Sequence, residues 1–239
     1  MRLKVNLEKY TIEESKMGIR INKYISDIGI LSRREVDKLI ESKKIHINDR
    51  VAILGEKVKN GDSIFLNTKF EKLKYFLYNK KKGEETAFKI INKIRYDSIG
   101  RLDKESEGLL LYSNDYRIVE ELLNPENKFE REYNVIVREN ATPRVKTILE
   151  RGIYTKEANY SPAKVVNLDE ENRHLINIIL TEGKKHEIRR MLNALNLTIK
   201  SLRRVRFVFL TLGKMKSGET RELKKDEIEK LLKILNIKN

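Results

Sequence analysis

The chain contains no cysteine, which excludes disulfides, thiol catalysis and cysteine-based zinc sites. Only three histidines occur, His46, His174 and His186, and none is paired at a ligand spacing, so no histidine metal centre is expected. No apolar run approaches the ~20 residues needed to cross a bilayer. The opening Met1-Arg2-Leu3-Lys4-Val5-Asn6 lacks the continuous apolar stretch and cleavage site of a secretion signal. These absences lead to the expectation of a cytoplasmic protein that uses neither metal nor cofactor.

What is present is charge, and mostly of one sign. The 239 residues are 39% hydrophobic, enough for one large core with a small satellite domain, and carry a net charge of +15. A lysine-rich composition could simply solvate the surface, but the excess is concentrated. Residues 68–82 hold six basic residues against one acid, and residues 184–206 hold eight against one, so these stretches supply twelve of the fifteen net charges. Such clustering favours a phosphate-facing surface. Charge alone does not separate RNA from DNA.

Two segments differ in pattern. Residues 1–16 show no clear period and are read as an N-terminal extension, disordered or foreign to the native protein. From residue 17 to 68 a small αβ unit is expected. Ile21, Tyr24, Ile25 and Ile28 follow helical spacing up to Gly29. Ser32 and Glu35 form a capping box for a second helix with Val36, Leu39 and Ile40 on one face. A strand at His46-Ile47, a turn at Asn48-Asp49 and a strand over residues 63–66 complete it. Residues 69–74 are the linker.

The second domain, 75–239, mixes the two periods. Strands are expected at 75–78, 109–112, 132–137, 174–180 and 205–212. Helices are expected at 118–123, 185–195 and 227–235, and from Pro143 to Gly152 behind Thr142.

The informative stretch is Gly100-Arg101-Leu102-Asp103-Lys104-Glu105-Ser106-Glu107-Gly108-Leu109-Leu110-Leu111-Tyr112-Ser113-Asn114-Asp115. A polar loop between glycines runs straight into an apolar strand, so an acid in it is held more firmly than one on a free loop. On spacing alone, Asp103 is as readily a turn residue. The string, however, resembles the signature of the ribosomal-RNA pseudouridine synthases of the RsuA/RluF type, nearest the large-subunit RluF branch. The likeness continues in Phe129-Glu130-Arg131-Glu132-Tyr133-Asn134-Val135, and in residues 182–191, Glu-Gly-Lys-Lys-His-Glu-Ile-Arg-Arg-Met. Residues 202–204, 212–213, 218 and 221–223 fit as well. Upstream, residues 20–26, 32–35 and 47–48 resemble the small S4-type RNA-binding domain that these enzymes share with a small-subunit ribosomal protein. The resemblance spans about residues 20 to 235.

It implies an α+β fold, with a small N-terminal αβ RNA-binding domain followed by a catalytic domain built on a mostly antiparallel mixed sheet. It implies that Asp103 attacks the nucleoside so that uracil detaches, turns and rejoins through carbon five. Tyr133 corresponds to a tyrosine packed against the target base, and Arg189 to an arginine paired with the aspartate. The residues alone leave open a core tyrosine and a phosphate contact for these two. Arg101 would fill the stack left by the flipped nucleotide. Lys80, Lys184, Arg190, Arg203 and Arg204 are expected along the RNA, with Arg20, Lys23, Arg33 and Arg34 contacting phosphates from the small domain. No metal ligand or cofactor is implied, and the partner is ribosomal RNA, free or in an assembly intermediate, bound by a monomer.

The chain departs from the pattern in places. Asn79-Lys80-Lys81-Lys82-Gly83 lacks the family's proline, the stretch to Gly100 is short, and Glu187 stands where the family has glutamine. A synthase acting on transfer RNA and an RNA-binding assembly protein without turnover are the alternatives. A DNA-binding regulator would require preference for duplex DNA.

Overall fold

The Ser32 capping box forms as the pattern predicts: Glu35 donates its backbone N–H to Ser32 Oγ, and the Glu35 carboxylate accepts from the Ser32 backbone. The computed structural model describes residues 1–6, 11–29, 31–68, 71–85, 88–91, 94–154, 159–168 and 173–237. The chain divides into two units. One comprises Met1–Lys74, Asn114–Glu121 and Leu232–Asn239, and the other Tyr75–Ser113 and Leu122–Leu231.

The first unit contains β1 (Arg2–Lys4), α1 (Ile12–Met17), β2 (Ile19–Arg20), α2 (Ile21–Asp27), α3 (Arg33–Glu41), β3 (Ile45–Ile47), β4 (Arg50–Val51), β5 (Lys57–Val58) and β6 (Ser63–Leu66). Four of these strands form an antiparallel sheet in the order β1-β6-β3-β4, and β2 pairs with β5. The helical stripes supply Ile21, Tyr24, Ile25, Val36 and Ile40 to a core closed by Ile45, Ile47, Ile64 and Leu66.

The expectation that residues 1–16 are a disordered or foreign extension is corrected for residues 1–6 and 11–16, while residues 7–10 lie outside the described residues. Arg2, Leu3 and Lys4 pair with Phe65, Ile64 and Ser63, the terminal amine donates to Leu66 O, and Val5 is buried in the core. Thr11 and Glu14 add a second capping box. A three-residue edge strand is too short to show a period, so its register comes from its neighbour. The unit also takes in residues beyond the expected boundary at 68. Lys74 N–H donates to Asn114 Oδ1, and buried Asp115 holds Arg117, whose side chain lies against Gly29. Residues 69 and 70 of the expected linker lie outside the described residues.

The rest of the chain supplies β7 (Tyr75–Lys80), β8 (Phe88–Ile91), β9 (Ile94–Ile99), β10 (Glu107–Ser113), α4 (Arg117–Leu123), β11 (Arg131–Val137), α5 (Pro143–Arg151), β12 (Ile153–Tyr154), β13 (Asn159–Tyr160), β14 (Lys164–Leu168), β15 (Leu175–Leu180), α6 (Glu187–Asn193), β16 (Ile199–Phe207), β17 (Leu210–Thr211), β18 (Thr220–Glu222) and α7 (Lys225–Ile234). The large sheet runs β14-β15-β11-β16-β10-β7-β18, with β9 also on β10, β8 on β9 and β17 on β16. Among the described residues only the β10/β16 pairing is parallel, so the α+β class with a mostly antiparallel sheet is correct. Val145 and Leu149 of α5 and Ile188, Met191 and Leu192 of α6 share one core with Tyr133, Val135, Ile178 and Leu202.

Three expectations shift. The strand expected at 205–212 is β16 beginning at Ile199, followed by a reversal at Val208, whose φ of +55 breaks the extended chain, and then β17. Helix 185–195 is shorter because His186, at φ +57, cannot continue it. The stretch 79–99, read as a shortened proline-free loop, carries β8 and β9. Residues 86–87 and 92–93 within it lie outside the described residues.

Candidate active site

Asp103 lies in the connection between β9 and β10, and several independent anchors hold that connection. Leu102 packs against two apolar clusters, the one under α5 and α6 and a second made by Phe76, Tyr78, Tyr96, Leu110 and Tyr112. Ser106 N–H donates to Asp103 O at 2.9 Å, closing a tight turn, and Gly83 N–H donates to Lys104 O at 2.7 Å. Beyond the turn Gly108, at φ +106, runs against β16. A Cβ there would sit 2.2 Å from Arg204 O, so only glycine admits this approach of two backbones.

Beneath the turn lies Lys80, and here the expectation of a substrate contact is corrected. The side chain is fully buried, and Nζ donates to the carbonyls of Lys81, Lys104 and Ser106 at 3.0, 3.1 and 2.7 Å. All three ammonium protons are therefore used inside the protein. Burial lowers its pKa, partly opposed by Glu84, Glu105 and Asp103. Its function is to brace the loop from below.

Asp103 itself remains 33% exposed, with a different nitrogen-bearing side chain at each oxygen. Arg189 Nε is 3.5 Å from Oδ2 and His186 Nε2 is 3.4 Å from Oδ1. Arg189 Nη2 also donates to Ser106 Oγ at 3.0 Å, so the loop aims the arginine as well as the acid. Both side chains come from the start of α6, whose Ile188, Met191 and Leu192 fix it against the sheet.

Tyr133 joins the same core. It lies on β11 between Arg204 and Ile178, only 9% exposed, in the cluster that also receives Leu102 and Ile188, the chain neighbours of Asp103 and Arg189. Sequence reasoning thus brought Asp103 and Arg189 into contact and Tyr133 into their supporting core. It missed Ser106 and His186. Both stood inside the quoted motifs, but neither residue type declared a role.

The remaining cations divide sharply. Arg204 is buried, donating Nε–H to Leu109 O at 2.7 Å with its guanidinium 5.4 Å from the Phe207 ring, so its expected RNA contact is also corrected. Arg203 stands opposite Asn134, on the face of the sheet away from Tyr133, and is not brought to Asp103. Arg101 and Arg190 are exposed, as are Arg20, Arg33 and Arg34 in the first unit. Lys184 is exposed and holds Glu182 at 3.0 Å, while Lys23 holds Glu14 at 3.1 Å.

Next to Arg189, Glu187 is buried, 4% exposed, and accepts the Lys184 backbone N–H at 3.0 Å. Burial, and then its contact with Glu182, push its carboxyl up to about 7. Burial alone would raise Glu182 too, but hydrogen bonds from Ser161, Lys184 and Glu187 hold it at about 2.

Comparison with known proteins identifies the two domains. Residues 78–194 match the RNA pseudouridylate synthase family and residues 19–64 match the S4 domain. The chain is 31% identical to ribosomal large subunit pseudouridine synthase B of Bacillus subtilis (strain 168), over 89% of this chain and 95% of that one. It is likewise 31% identical to the dual-specificity RNA pseudouridine synthase RluF of Escherichia coli (strain K12), over 91% and 80%. A crystal structure of a pseudouridylate synthase superposes with a TM-score of 0.67 at 26% identity, covering 89% of this chain and 99% of the other. An S4 domain followed by a synthase domain, with relatives matched over nearly their whole length, means that this chain belongs to the RNA pseudouridine synthases.

Proposed function

We propose that the chain converts a uridine of large-subunit ribosomal RNA to pseudouridine, with Asp103 as the attacking carboxylate. The reading rests above all on one observation: a partly exposed acid in a braced loop, with Arg189 and His186 within 3.5 Å of its two oxygens. A stacked base offers no face to such a group, so the nucleotide is turned out of the helix, at a cost of a few kcal/mol. The N1–C1′ bond then breaks, uracil rotates, and a C5–C1′ bond forms. The C5 proton leaves and N1 takes one up, so the reaction is an isomerisation that consumes no co-reactant.

Arg189 aims the carboxylate, and Tyr133 flanks the base from the sheet. Arg101 fills the vacated stack. Lys184 and Arg190 follow the RNA backbone beside the site, and Arg20, Lys23, Arg33 and Arg34 of the S4 domain hold a more distant part of it. The protein acts as a monomer in the cytoplasm, on free RNA or an assembly intermediate. Release of tritium from 5-tritiated uridine in ribosomal RNA transcripts tests the reading, with Asp103→Asn abolishing it. Tight RNA binding with no release by the wild type would replace it with an assembly protein, and faster release from transfer RNA would change the substrate.

A further inference from the structure

We propose that His186 is a second positioning residue for Asp103, holding the carboxylate oxygen that Arg189 does not reach. The inference rests on the reading of Asp103 as the attacking group. Arg189 Nε faces Oδ2 alone, and its shorter bond goes to Ser106 Oγ, so by itself it leaves the carboxylate plane free to turn. His186 Nε2, 3.4 Å from Oδ1, closes that freedom. Catalytic geometry of this kind must hold within about 10–20°.

The backbone supports a purpose for the ring. His186 is the N-cap of α6, yet its side chain caps nothing. Ser, Thr, Asp or Asn would serve the helix better. Its φ of +57 and ψ of +26 are also costly for a residue other than glycine. A strained residue that gives nothing to its helix and turns its ring onto an acid is retained for that contact. The charged groups around the pair are Arg189, Glu187, Lys184 and Lys185 from the same segment, and Lys80 behind the loop, whose charge acts on Asp103.

Single-turnover tritium release from ribosomal RNA transcripts separates the outcomes. His186→Gly suits a positive φ better than histidine, so a purely structural role predicts a melting temperature and rate at least equal to the wild type. The positioning role predicts a roughly tenfold lower rate at saturating RNA with unchanged half-saturation. His186→Gln, which restores a donor, should recover part of the rate. Full activity of His186→Gly overturns the proposal. So does a defect confined to half-saturation and its salt dependence, which would make His186 an RNA contact. An active Asp103→Asn, by contrast, would overturn the reading beneath it.

Discussion

Glu187→Gln should make the protein more stable above neutral pH and leave it unchanged in acid. Glu187 is buried, and its carboxyl is pushed up to about 7 from the ordinary 4.5, first by burial and then by Glu182. Below pH 4.5 the group is protonated folded and unfolded, and its contribution to stability is fully present. Between 4.5 and 7 the unfolded chain releases the proton while the folded chain keeps it, so stability falls as pH rises. Above 7 the folded chain ionises too and the whole cost is in place. A rise from 4.5 to about 7 corresponds to at most roughly 3 kcal/mol. Glutamine removes that charge while keeping an acceptor for the Lys184 N–H, so about 1–2 kcal/mol is the expected gain at pH 8. For a protein of this size that raises the transition of the unit bearing α6 by about 2–8 °C. Thermal melts of both proteins from pH 4 to 8.5 provide the assay. Two curves that run parallel across that range would refute the raised carboxyl of Glu187.

Other substitutions probe the site's frame. Gly108→Ala places a methyl 2.2 Å from Arg204 O at a φ of +106, and should cost on the order of 3 kcal/mol in urea unfolding, whereas wild-type stability would deny the β10/β16 apposition. Lys80→Met leaves three carbonyls without their donor; release of tritium should fall at least tenfold while RNA affinity and its salt dependence stay constant. A changed salt slope would mean that Lys80 meets phosphate after all. Ser106→Ala frees Arg189 from its 3.0 Å bond and should lower the rate at saturating RNA several-fold without moving the melting temperature by more than about 2 °C. Arg33→Ala with Arg34→Ala, both exposed on α3, should weaken RNA binding and reduce the salt slope by about two, which filter binding at several salt concentrations would show.

Legibility followed the range of the interaction. The helices α2 and α3 could be placed because their signals are local: apolar spacing and a capping box within four residues. The reversal at Val208 could not, since a β-branched residue with a positive φ carries no turn signature and is imposed by the β16/β17 pairing. The pairing of β8 with β9 was missed for a similar reason, because residues 88–99 contain none of the glycine-bearing pairs that announce hairpins. Sheet order lies further still from the sequence. That β16 would sit between β11 and β10, and so press Gly108 against Arg204, depends on contacts about a hundred residues apart. Asp103 and Arg189 were legible through motif, but Ser106 and His186 became visible only when the loop and α6 met.

The cations make the same point about charge. Eight basic residues in 184–206 suggested a surface for phosphate. Arg204 is consumed by Leu109 O and Phe207, Arg206 by Glu130 and Glu132 at 2.8 and 2.7 Å, and Arg189 by Asp103 and Ser106. Lys185, Arg190 and Lys200 stand exposed, while Arg203 faces the other side of the sheet. A cation already desolvated against a carbonyl or carboxylate releases no counterion when RNA arrives, so it adds nothing to the salt dependence of binding. The charge that holds the RNA is therefore smaller than the charge the composition displays. Much of the difference has gone into building the loop and helix that present Asp103.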